Sequence, residues 1–138
     1  MQTFLPYPDF VASAATLDNR RLGKQRVEVL QILNVLTDPT RKAWRNHPAV
    51  LMWRGHEGAL VRYGVAICEE WQSRGFKDTV KEKLLSRNIP NTENPPWIGN
   101  EPIHSTHRAS LLRKDPDHYA QFGWTDQADD YIWPTNKT

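Results

Sequence analysis

Cysteine is all but missing from this 138-residue chain: Cys68 stands alone, so neither an intramolecular disulfide nor a thiolate metal cluster can form. A reducing, cytoplasmic setting is expected. The opening Met-Gln-Thr-Phe-Leu-Pro-Tyr-Pro lacks the basic start and apolar centre of a secretory signal, and no apolar run approaches membrane-spanning length, so no membrane partner is expected. Net charge is small, +2 with a pI near 8.8, so a site for a polyanion has to come from local clustering of Lys and Arg. No glycine-rich phosphate loop and no nucleophile-elbow pattern occurs, which removes kinase and serine-hydrolase readings.

What is present is globular: 38% hydrophobic residues, 25% charged residues and six tryptophans, in a length that fits one domain spanning 1–138. The patterning predicts an all-α, compact single-domain helical fold with a long irregular connection and an aromatic C-terminal tail. Pro6 and Pro8 keep the first residues extended. A first helix is expected from near Ser13 or Asp18 to Leu36, with Gly23 a point where it breaks. Asn46-His47-Pro48 reads as the start of a central helix reaching Trp71, interrupted near Gly55 and Gly58, with Gly75 as its left-handed cap and Phe76 packing back. Thr79 and Glu82 have capping-box spacing for a short helix to Leu85. Four prolines in 88–103 predict an irregular connection folded over the core by Ile89, Trp97 and Ile98. A helix from near Thr106, a turn begun by Asp115-Pro116, and the tail Trp124, Tyr131, Trp133 complete the chain.

The segment Leu17 to Leu30 carries the most pointed chemistry. Helical spacing puts Arg21, Lys24 and Glu28 on one face, with Gln25 beside them and Arg20 at the edge, while Leu22, Val29, Leu30 and Leu33 turn toward a core. One acid on a basic face suits reaction on a polyanion. The plainer alternative is an exposed helix with a Lys24/Glu28 ion pair contributing roughly 0.2–0.5 kcal/mol. His104 and His107 have the spacing of two metal ligands on a helix, but no acidic or cysteine partner accompanies them, so capping or phosphate contact is favoured. His47 reads as a helix-start residue, with a catalytic histidine as the alternative.

Several segments together resemble the pyrimidine-dimer DNA glycosylase and abasic-site lyase family, the phage-type endonuclease V enzymes. They are Met1…Phe4…Tyr7-Pro8-Asp9-Phe10, Leu17-Asp18 followed by Glu28, Cys68-Glu69, Arg74-Gly75-Phe76-Lys77-Asp78-Thr79, and His107…Ala109-Ser110 with the aromatic tail. The resemblance implies that Glu28 is the catalytic glutamate. Val27 stands where the family usually has Arg, leaving Arg26 or Arg21 to take the phosphate role.

In that chemistry an unprotonated amine attacks the sugar C1′, forms a Schiff base, and the backbone is cut by β-elimination. An α-amine titrates well below a lysine ε-amine, which makes Met1 the economical nucleophile and Lys24 the reserve. Gln2 is bulky and hinders removal of Met1, so a retained Met1 is expected. Glu28 would stabilise charge developing on the sugar and carry the proton for elimination. Arg20, Arg21, Lys24 and Arg26 are expected to hold phosphates, with His107, Arg108, Arg113 and Lys114 as a second set. The expected function is excision of a damaged (pyrimidine-dimer) or modified pyrimidine from duplex DNA, with neither metal nor cofactor and no required protein partner. The alternatives are a monofunctional glycosylase for another modified base and a non-enzymatic helical DNA-binding module.

Overall fold

The computed structural model describes residues 1–134, and every regular element among them is helical. The all-α expectation holds. The order is α1 (Phe10–Thr16), α2 (Asn19–Thr37), α3 (Pro48–Leu51), α4 (Glu57–Ser73), α5 (Val80–Leu85), α6 (Glu101–Lys114) and α7 (Pro116–Tyr119), the last running into a single 3₁₀ turn at Ala120–Phe122. Among the described residues no helix is long and apolar enough to cross a membrane.

Alpha-4 is the central helix, packed against α2, α1 and α5. Its apolar side carries Leu60, Tyr63 and Ile67, which meet Val29, Ile32 and Leu33 of α2, all fully buried. Alpha-2 and α4 pack tightly at Gly23, where an added methyl group would lie 2.9 Å from Cη2 of Trp71. Gly23 is therefore a contact point inside a continuous helix, and the expected break falls earlier, at Leu17-Asp18. Asp9 caps the start of α1 by accepting from Ala12 N, and at the break Asp18 caps α2 by accepting from Arg21 N. Arg74, at the end of α4, fastens this junction by donating to Leu17 O at 2.7 Å and Asn19 Oδ1 at 2.9 Å.

The turn between α3 and α4 falls at Gly55 (φ 84°), as its sequence suggests, while Gly58 lies inside α4. Gly75 adopts φ 92° and Phe76 stacks on Trp71 with ring centres 4.1 Å apart. The start of α5 differs from expectation. Thr79 makes no side-chain cap; the Asp78 carboxylate receives Val80 N and Lys81 N instead. A carboxylate one residue back reaches two free amides, which one hydroxyl does not. The proline-rich connection lies over the core, with Trp97 Nε1 donating to Met52 O at 2.9 Å and Arg62 bonded to Asn91, Thr92 and Asn94. Alpha-6 starts at Glu101, five residues ahead of the expected Thr106, because Pro102 sits in its first turn, where no amide is missed.

Candidate active site at the N-terminus

An extended strap, residues 1–6, runs across one end of the helices and is fastened along its length. Trp53 Nε1 donates to Thr3 Oγ1 at 3.1 Å, and Phe4 N donates to Gln25 Oε1 at 2.6 Å. On α6, His104 and His107 take the two sides of Leu5: Leu5 N donates to His107 Nδ1 at 2.9 Å, and His104 Nδ1 lies 2.7 Å from Leu5 O. Arg108 Nη1 donates to Pro6 O at 2.7 Å. The residues next to the chain start are thereby held between α2 and α6.

These contacts correct part of the sequence reading. His104 uses its second nitrogen to accept from Gly99 N, and His107 is fully buried, so the pair serves neither as metal ligands nor as phosphate contacts. Burial, with the neighbouring His104 and Arg108 charges adding to it, pushes His107 down to about 3. Arg108, 8% exposed, is paired with Asp126 and Glu101. Arg113 bonds Ala128 O, away from the site. Arg26 pairs with Asp78 at 2.5 Å and lies over the Trp71 ring at 4.5 Å, so it packs α2 against α4 and its charge is already matched by a carboxylate.

The other predicted residues converge. A cleft of about 400 Å³ is lined by Met1, Gln2, Arg20, Arg21, Lys24, Gln25, Glu28, Lys114 and Tyr131, among others. Arg20 and Lys114 are exposed, and Lys24 is 75% exposed with its Nζ 3.8 Å from Glu28 Oε1. Arg21 is partly neutralised by Asp18 at 3.1 Å. The Glu28 side chain, 12% exposed, receives Gln25 Nε2 at 3.1 Å and the Gln2 backbone amide at 3.3 Å. Gln25 Nε2 also donates to Gln2 O at 2.6 Å. One buried glutamine thus joins the strap to the carboxylate, and Tyr63 supports it from α4, with its hydroxyl 2.6 Å from Gln25 Oε1.

Met1 and Glu28 also line a second cavity of about 250 Å³, together with Gln31, Val35, Arg41 and Trp44. His47 caps α3 by accepting from Ala49 N, as its position before Pro48 implies. Burial and the positively charged chain start hold it below the usual histidine range, with Glu28 opposing. In the tail, Trp124 packs on Tyr119 and Phe122, while Tyr131 reaches the cleft and bonds Ser110 at 2.7 Å. A larger cavity of about 660 Å³ between α1, α4 and the connection holds neither Met1 nor Glu28. Arg62 and Glu69 in it are already paired to Asn91 and Lys81, which leaves little for chemistry.

Sequence reasoning missed Gln25 as the central link and Trp44 altogether. Gln25 does carry a signal, a polar residue on the inward side of a helix between Leu22 and Val29. A family model described as pyrimidine dimer DNA glycosylase matches residues 1–84, more than half of the chain and including all of α1 to α4. No curated protein and no solved structure matches the chain.

Proposed function

Because the chain belongs to the pyrimidine dimer DNA glycosylase family, we propose that it excises a damaged or modified pyrimidine from duplex DNA and cuts the resulting abasic site, with the Met1 amine as nucleophile and Glu28 as the acid–base group. One domain spanning 1–138 carries the activity. The observation that supports this best is the Gln2 amide bonded to Glu28 Oε2 within the cleft that Arg20, Lys24 and Lys114 make cationic.

In this reading the Met1 nitrogen lone pair attacks C1′ and the C1′–base bond breaks, with the base leaving on its electron pair and taking up a proton. Glu28 relays the proton shed by the attacking amine to O4′ as the sugar ring opens, which gives the iminium and leaves Glu28 a carboxylate. Loss of a C2′ proton to Glu28 then expels the 3′ phosphate, and water releases the enzyme. Glu28, its side chain 12% exposed and fixed by two hydrogen bonds, faces charge that develops on the sugar, where a prepositioned carboxylate acts most strongly. Arg20, Arg21 and Lys114 hold phosphates without reading sequence. Lys24, solvated and paired to Glu28, is a phosphate contact before it is a nucleophile.

Borohydride trapping on an abasic-site duplex tests the scheme. The expected adduct maps to Met1, and Glu28→Gln removes base release while duplex affinity stays within a few-fold. An adduct at Lys24 moves the nucleophile. Base release without any adduct makes the enzyme monofunctional. Binding with neither, on duplexes bearing dimers or oxidised or hypermodified pyrimidines, overturns the reading.

A further inference from the structure

We infer that Trp44 is the stacking platform for the extruded base, in a cavity distinct from the phosphate cleft; the inference rests on the functional reading above. Two spaces meet at Met1 and Glu28. One is lined by Arg20, Arg21, Lys24 and Lys114. The other is closed by Gln31, Val35, Arg41 and Trp44. A deoxyribose with C1′ at the Met1–Glu28 junction carries its base on one side and its phosphates on the other. The strongly cationic space takes the phosphates, so the aromatic one is left for the base.

The second space has the chemistry of a base site. Trp44 is 58% exposed, and a flat indole beside a cavity offers a stacking face to any nucleobase. Val35, 2% exposed, gives an apolar floor. The Gln31 amide can donate and accept, matching the alternating oxygen and N–H groups on the edge of a pyrimidine. Arg41 is drawn to Asp38, Nε to Oδ2 3.6 Å, which lowers the charge of this side relative to the other.

Trp44 is also held in place. Its φ of 70° is a conformation that residues with a side chain seldom adopt and that surrounding structure must impose. Arg45 supplies that: its Nη1 donates to Val35 O, Asp38 O and Arg41 O, tying the loop to the end of α2, while His47 N donates to Trp44 O at 3.0 Å. The His47 ring supports the indole at 5.7 Å between centres, and Trp133 supports His47 at 6.2 Å. An enzyme that acts on a base in a duplex has to take it out of the stack, and a prepositioned aromatic face offsets part of that cost.

Equilibrium binding tests the assignment without relying on turnover. Wild type, Trp44→Ala and Trp44→Phe are titrated with a paired duplex, a duplex holding one unpaired thymine, and a duplex holding a tetrahydrofuran abasic analogue. Wild type should favour the unpaired thymine over the analogue. Trp44→Ala should lose about 5- to 150-fold on the thymine duplex, the range that stacking of one base is worth, and stay within about two-fold on the analogue. Trp44→Phe should keep most of the preference. Unchanged thymine affinity in Trp44→Ala, or an equal loss on all three duplexes, overturns the inference. Failure of the functional reading shows elsewhere, as the absence of base release and adduct in wild type; a surviving thymine preference would then mark a base-binding module without chemistry.

Discussion

Gln25 and Glu28, one helical turn apart on α2, share a hydrogen bond of 3.1 Å, and the same Gln25 amide reaches Gln2 O at 2.6 Å. Gln25 is 1% exposed, and its Oε1 receives the Phe4 amide. Buried at the wall of the cleft, it sets where the chain start lies relative to the carboxylate. Gln25→Ala leaves buried groups unpaired, so stability should fall by about 1–3 kcal/mol in urea titration. Steady-state kinetics should show kcat reduced at least ten-fold with KM little changed. A KM effect alone would make Gln25 a DNA contact instead.

One residue added ahead of Met1 moves the amine by the length of a peptide unit, about 3.5 Å. The borohydride adduct should disappear while duplex affinity stays within a few-fold. An adduct that persists and maps to Lys24 would assign the chemistry to the side chain.

The cationic residues fall into different classes. Arg20→Gln and Lys114→Gln should each weaken binding on every sequence and lower the salt dependence of log K by about one phosphate contact. Arg113→Gln, whose guanidinium faces Ala128 O, should leave the slope as it is. Fluorescence titrations across a salt series measure all of them.

Asp78 has a fully buried side chain that pairs with Arg26 and caps α5. Burial opposes its ionisation, but the Lys81 amide and Arg26 hold its carboxyl below the usual range. Asp78→Ala strands the Arg26 charge and should cost about 3 kcal/mol or more, seen as a lower urea midpoint. The salt slope of DNA binding should not move, in contrast to Arg20→Gln.

His107 supplies a pH dependence of stability. It titrates at about 3 in the fold, against 6.5 for a free histidine, so below pH 6.5 the unfolded chain binds a proton that the folded chain does not. Stability from this group is complete above pH 6.5 and is lost as pH falls, by about 2 kcal/mol at pH 5. Asp18, Asp78 and Asp126 are held below their ordinary value, so their contribution stays until lower pH. Thermal unfolding at pH 7 and pH 5 should show the drop, and His107→Asn should reduce it.

Periodicity and capping carried the helices well: Asp18 before α2, Pro48 opening α3, Gly75 closing α4 and the connection held by Trp97 all follow from local chemistry. The Arg21, Lys24, Glu28 face was legible for the same reason, since it needs only the spacing of one helix. What stayed hidden depends on distant partners. Arg26 looks like its neighbours Arg20 and Arg21 until Asp78, 52 residues away, claims it. His107 and Arg108 lie in a basic stretch whose partners, the Leu5 amide and the Pro6 carbonyl, come about a hundred residues earlier. Trp44 sits between elements, where no periodicity marks which way a side chain faces.

The clamp on Leu5 and Pro6 also sets a timetable. During synthesis the strap leaves the ribosome about a hundred residues ahead of the histidines and arginine that seat it, at positions 104 to 108. A nascent chain thus carries its first residues unmoored until α6 is made, and truncation before α6 should leave Leu5 and Pro6 without the side chains that hold them beside Glu28.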